Sequence, residues 1–258
     1  MVKGLYTAYT GMINEQNRMD VLTNNLANAD TNGFKKEGAT SQSFDSILAY
    51  KIKDSSESYR LSKRIGVNHP GVKIGEGYTD FSQGSLRSTG NTFDLALTDS
   101  GFFAVEFTNK AGETSVKYTR DGDFALTQDG YLVTRDGDNV LDESGSPIRI
   151  DPIESTVINE QGQIIQNGRV AATIQVTDFE DYNYLTRYGE NYFEPIEGAE
   201  ETESEAKIYS GYLEASNISV VTEMVNMITV QRAYESNQKV ITTYDSTLDI
   251  AANQLGRI

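Results

Sequence analysis

The sequence predicts an α+β fold, with a central antiparallel β-rich domain flanked by long N- and C-terminal helices that pair like a coiled coil. Two heptad-spaced stripes lie at opposite ends of the chain. Between them, β-branched and aromatic residues alternate with closely spaced Gly turns, the texture of short strands joined by hairpins. No strand–helix alternation runs through the middle, which argues against a Rossmann or TIM architecture.

The first helix is expected over about 30 residues. Leu5, Ala8, Met12, Met19, Leu22 and Leu26 follow steps of three and four, with Glu15 in the missing slot. Such a narrow stripe is the pattern of a coiled-coil seam, and it is too thin to stabilise the helix in isolation. Asn32-Gly33 is a stop signal, so the helix should end near Asn28. Residues 1–34 and 213–258 are therefore read as one helical domain, residues 35–73 as an extended polar connector and residues 74–212 as the β-rich domain. The connector carries Ser41, Ser43, Ser55, Ser56 and Ser58 and the basic residues Lys51, Lys53, Arg60, Lys63 and Arg64. Its Phe44–Tyr50 segment suits a short helix or a strand.

In the β-rich domain, turns are expected at Asp121-Gly122, Asp129-Gly130, Asp136-Gly137, Ser144-Gly145, Gln161-Gly162 and Asn167-Gly168. Gly101-Phe-Phe-Ala-Val-Glu-Phe107 reads as a strand with a bulky buried face. The acidic stretch Glu194–Glu205 reads as a solvated loop. The C-terminal helix can be capped by Ser216, Asn217 or Ser219. Val220, Met224, Met227, Gln231, Tyr234, Gln238, Ile241, Leu248, Ala252 and Leu255 then form one heptad stripe, with Asp245 completing it. Val221, Val225 and Ile228 widen it. No Gly or Pro interrupts the run from Asn217 to Leu255, which makes a rod of roughly 55–60 Å. Such a helix needs a partner, and the N-terminal stripe is the obvious one.

Composition excludes several function classes. The net charge of −16 across 258 residues repels nucleic acid and anionic lipid. With no cysteine there is no disulfide framework and no thiolate metal site. The N-terminal stretch lacks the apolar segment of a secretory signal, and no apolar run approaches membrane-spanning length. His69, the only histidine, sits in an Asn-His-Pro-Gly turn and reads as a surface residue rather than a catalytic base. Asp121-Gly-Asp123 and Asp136-Gly-Asp138 lack the later ligands of a calcium loop, because Ala125, Leu132, Val140 and Pro147 occupy those positions. No catalytic, metal or cofactor site is expected. A β-rich carbohydrate-binding or hydrolytic protein is the competing class, and a calcium-loaded adhesin a third; 15 Tyr without a Trp weighs against sugar stacking.

Asn24-Asn-Leu-Ala-Asn-Ala-Asp-Thr-Asn-Gly-Phe-Lys35 resembles the N-terminal motif of the flagellar rod and hook family. Leu213-Glu-Ala-Ser-Asn-Ile218, Glu223-Met-Val-Asn-Met-Ile228 and Gln231-Arg-Ala-Tyr-Glu235 resemble its other end. Thr89-Gly-Asn, Asp94-Leu-Ala, Gly101-Phe-Phe and Tyr118-Thr-Arg-Asp-Gly122 resemble its central signatures, so the likeness spans nearly the whole chain in order. Within the family the C-terminal pattern is most similar to distal-rod members, with proximal-rod members next. The resemblance implies a structural subunit exported through the flagellar type III apparatus. It implies assembly with itself into a hollow helical tube that carries torque from motor to hook. The terminal helices would form the inner layer. Other rod proteins, the hook and, in Gram-negative cells, the P- and L-ring proteins would be its neighbours in the periplasm, without membrane insertion. The expected assembly residues are the stripe positions Leu5, Ala8, Met12, Met19, Leu22, Leu26, Val221, Met224, Val225, Ile228, Gln231, Tyr234, Ile241, Leu248 and Leu255. Asn24, Asn25 and Asn28 would hydrogen-bond backbone or neighbouring helices, Gly33 would permit a sharp exit, and Phe34 would anchor it.

Overall fold

In the computed structural model, residues 2–51, 63–110, 112–189, 191–204 and 206–253 are described. The chain divides into two compact units, one of residues 1–26, 37–79 and 219–258 and one of residues 27–36 and 80–218. Proximity thus groups residues 37–79 with the helices, where sequence texture suggested a separate connector. Much of that segment is strand: Lys36–Ser43 pairs with Val72–Asp80, and Ile47–Lys51 pairs antiparallel with Lys63–Asn68. Lys53, Arg60 and the three serines at 55, 56 and 58 lie outside the described residues.

The first unit carries α1 (Val2–Ala27) and α2 (Val220–Asn253). α1 ends one residue before Asn28, as the turn signal required. Ser219 precedes α2 and its carbonyl accepts the Glu223 N–H at 3.0 Å. Asn217, a candidate cap, uses its side chain elsewhere, accepting from the Lys36 N–H at 2.8 Å.

The second unit is built on the strand Phe102–Thr108. It pairs antiparallel with Thr114–Thr119, Asn139–Val140 and Val176–Phe179 within a nine-stranded sheet. Alternation along this strand feeds two cores at once. Phe103 and Val105 pack with Phe124, Leu132, Val140 and Ile164. Phe102 and Ala104 turn the other way, to Tyr118, Phe179 and Phe193. Each fully buried Phe contributes about 1.5–3 kcal/mol of hydrophobic stabilisation. The stretch Glu194–Glu205, read as a loop, contains the short strand Glu201–Glu203 paired antiparallel with Val176–Phe179.

Five hairpin loops among the described residues share one design: Asn109–Glu113, Thr127–Tyr131, Thr134–Asp138, Asp142–Ser146 and Asn159–Gln163. In each, the first residue's N–H donates to the fifth carbonyl at 2.8–3.1 Å, and the Gly at position four donates back to the first carbonyl. The first residue's side-chain oxygen accepts the fifth N–H at 2.9–3.2 Å. The Gly lies at φ between +75° and +98°, where other residues are strained. Asn167-Gly168, with φ of 49° and 72°, is a two-residue turn between Gln163–Gln166 and Arg169–Thr173. Asp121-Gly122 is not a hairpin. A Cβ on Gly122 would lie 1.7 Å from the Leu95 carbonyl oxygen, so this glycine permits two backbones to pass closely.

Candidate assembly interface

α1 presents the expected stripe to the interior of its own unit. Ala8 is buried, and Leu5, Met12, Met19, Leu22 and Leu26 are half-buried. Glu15, in the same row, is held by Arg18 at 3.1 Å. Two positions missed in the sequence reading share this face. A Cβ on Gly4 would meet the Tyr244 hydroxyl at 2.6 Å, and one on Gly11 would meet the Asn237 amide at 3.0 Å. Seven residues forward on α1 therefore correspond to seven back on α2, an antiparallel register. The same register sets Asn25 level with Glu223, both buried.

On α2 the inward row is Glu223, Met227, Val230, Tyr234, Asn237, Ile241 and Tyr244, buried or half-buried at steps of four and three. The stripe read from sequence also contains Val220, Met224, Gln231 and Gln238. All four are exposed. Two polar residues, Glu223 and Asn237, occupy the inward row, and a hydrophobic pattern does not mark them. Met227, Tyr234 and Ile241 are common to both readings.

Each helix has a second apolar face turned away from this seam. On α2, Val221, Val225 and Ile228 are 74%, 57% and 51% exposed, at i, i+4 and i+7. On α1, Tyr6, Tyr9 and Ile13 are exposed at i, i+3 and i+7. Leu248 is 44% exposed for another reason. It continues the inward row by one step of four beyond Tyr244, but the register runs past the start of α1 there. Leu255 lies outside the described residues.

The asparagines of the N-terminal motif make bonds within their own chain. The Asn25 side chain donates to the Glu37 carbonyl at 2.8 Å and accepts the Glu37 N–H at 2.9 Å, pinning the returning strand to α1. Asn24 reaches the Glu37 carboxylate at 3.4 Å. Asn28 accepts from Thr31, backbone to backbone and side chain to side chain, closing the turn after α1. Gly33, at φ +67°, has the backbone of Arg120 and Asp121 2.5 Å from where a Cβ would be. Phe34 is 1% exposed, with the Arg187 guanidinium 4.0 Å over its ring.

The other candidate groups carry no reactive geometry. His69 is exposed. Asp121 accepts from the Asp123 N–H at 3.1 Å and the Asn191 amide at 3.2 Å, and burial pushes its carboxyl up to about 6. Asp138 accepts from the Tyr192 hydroxyl at 2.7 Å. Among the described residues, no group of three or more His, Cys, Asp or Glu is arranged to hold a metal ion, and no helix is long and apolar enough to cross a membrane.

Three family models match the chain. They are a flagella basal body rod protein model over residues 5–35, a flagellar hook protein FlgE/F/G D1 domain over residues 96–170, and a flagellar basal body rod FlgEFG protein C-terminal model over residues 209–255. Similar proteins include the flagellar hook-basal body complex protein FlhO of Bacillus subtilis, 33% identical over 100% of both chains. The flagellar basal-body rod protein FlgG of Buchnera aphidicola is 33% identical over 96% of this chain and 98% of its own. The flagellar basal-body rod protein FlgF of Caulobacter vibrioides is 32% identical over 100% of both.

Proposed function

The chain belongs to the flagellar basal-body rod protein family, and from that premise we propose that it is a distal-rod subunit whose helices polymerise with other copies into a hollow, torque-bearing tube. The family is structural, which sets aside the hydrolytic and carbohydrate-binding readings and places the protein in the flagellar basal body. The observation that carries the polymer reading is the second apolar face on each helix. Val221, Val225 and Ile228 would stay in water in a lone subunit, at a cost of about 25 cal/mol per Å² of apolar surface left uncovered. Repeated neighbours in a tube would cover them. α1 and α2 would pair as the coiled-coil-like inner layer, with the buried Asn25 and Glu223 restricting their register. Export through the type III apparatus, a periplasmic position and contacts with the P- and L-rings in Gram-negative cells belong to the same proposal.

The distal position rests on Val225-Asn-Met-Ile228 and Gln231-Arg-Ala-Tyr-Glu235, and relatives of both the FlgG and FlgF kinds keep the proximal rod as the runner-up. Electron microscopy of basal bodies from cells carrying an epitope-tagged copy tests the position. Antibody label just below the hook is expected. Label near the inner membrane would assign the chain to the proximal rod, and unlabelled basal bodies would overturn the proposal.

A further inference from the structure

The chain passes between its two compact units at four places: 26/27, 36/37, 79/80 and 218/219. Just inside the β-rich unit, the segments from all four passages meet at two residues, Glu214 and Asn217. From the segment after α1, the Gly33 N–H donates to the Glu214 carbonyl at 2.8 Å, and Lys35 Nζ donates to Glu214 Oε1 at 2.6 Å. Before the chain leaves again, the Lys36 N–H donates to Asn217 Oδ1 at 2.8 Å. From the segment that begins at Asp80, the Asp80 and Ser82 carbonyls accept from Asn217 Nδ2 at 2.8 and 3.1 Å. The Gly84 N–H donates to Glu214 Oε1 at 2.8 Å, and the Ser82 carbonyl accepts a further bond from Lys35 Nζ at 2.9 Å. The last segment, leading to α2, supplies Glu214 and Asn217 themselves. Arg120 stands behind them, its Nη1 3.5 Å from Glu214 Oε2.

These charges are buried: the side chains of Lys35, Arg120 and Glu214 are 1%, 3% and 0% exposed. Burial holds the Lys35 ammonium below the usual lysine range, against the opposing pull of Glu214. A buried ion pair is poor value as a stabiliser, since apolar residues of similar volume do as well or better. What it supplies is direction, because each bond fixes one segment against another. The three charged residues also come from three separate family-like motifs, at Gly33-Phe-Lys35, Tyr118-Thr-Arg-Asp-Gly122 and Leu213-Glu-Ala-Ser-Asn-Ile218.

We propose that Lys35, Glu214 and Asn217, backed by Arg120, are positioning residues that clamp the chain passages together, so that load on the helices is delivered to the β-rich unit at one fixed point. This rests on the rod reading. A test exists because Lys35→Met leaves the Glu214 carboxylate with the Gly84 N–H on Oε1 and the Arg120 guanidinium 3.5 Å from Oε2. The purified full-length variant is expected to melt within a few degrees of the parent. Its Gly33, Gly84 and Lys36 amides should exchange with solvent at least tenfold faster, while those of Phe102–Thr108 keep their protection. Cells carrying it should build basal bodies in normal number, yet lose at least half their swimming speed in viscous medium relative to dilute medium. Asn217→Ala, which alters no charge, should accelerate Lys36 exchange in the same selective way, and it stands in if Lys35→Met fails to fold. Unchanged exchange at these amides, or swimming that responds to viscosity as the parent does, would overturn the clamp. A strain lacking the gene altogether that still swims would overturn the rod reading instead, a result independent of the exchange data.

Discussion

Leu248→Asp is expected to abolish polymerisation and motility while shifting the monomer's melting temperature by no more than about 2 °C. The asymmetry follows from helix length. α2 spans 34 residues and α1 spans 26, and with Gly4 opposite Tyr244 the final turns of α2 extend past the start of α1. Leu248 keeps the helical phase of the seam but has lost its own partner helix, and 44% of it faces water. A charge at such a surface position changes monomer stability by roughly 0.5 kcal/mol or less, which for a chain of this size is a degree or two. In a tube the same position would be covered by another copy, and each buried unpaired carboxylate there costs several kcal/mol. Every subunit repeats the contact, so the penalty accumulates along the polymer. Secretion should persist, because export of an unfolded chain requires no packed helix. Calorimetry, sedimentation and a swarm assay read the three parts separately. A large drop in melting temperature would mean that Leu248 packs within its own subunit. Normal rods would mean that it faces water or the channel.

Gly33→Ala should act on the opposite quantity, the stability of the lone subunit. The residue lies at φ +67°, which costs a side-chain-bearing residue about 1–2 kcal/mol. The added Cβ would also sit 2.5 Å from the backbone carbon of Arg120 and nitrogen of Asp121, which no rotamer change relieves. The Gly33 N–H bond to the Glu214 carbonyl would be displaced with it. A loss of about 3 kcal/mol or more is expected, read as a fall of roughly 10 °C in the melting temperature of the β-rich unit. A fall of less than about 2 °C would mean that the segment after α1 can relax away from Arg120 without loss.

The α1 stripe was legible because its apolar residues and its buried face coincide. Gly4 and Gly11 were not, because a glycine contributes nothing to a hydrophobic pattern although close helix approach depends on it. The inward row of α2 was only partly legible for a related reason. Its richest apolar row near the N-terminal end, Val221, Val225 and Ile228, is the exposed one, while its seam contains Glu223 and Asn237. Periodicity finds the most hydrophobic face of a helix, and in a subunit with further partners that need not be the face buried at home. Most hairpins were legible from their glycines; the Asn109–Glu113 loop was not among the expected turns, and at Asp121-Gly122 the same kind of dipeptide serves a close backbone crossing. Lys35 and Glu214 stood in recognised motifs, but they are 179 positions apart, and nothing local in the sequence says that they meet.

The chain contains no cysteine, so a single one can report on one position. Val225→Cys places a thiol on the α2 face turned away from the seam, at a site 57% exposed in the lone subunit. Maleimide labelling of the purified monomer, and of basal bodies isolated from cells carrying the variant, measures whether assembly covers that face. Rapid labelling of the monomer with protection of at least tenfold in the basal body is the expected result. Equal reactivity in the two forms would contradict the claim that neighbouring copies cover the outward faces of the helices.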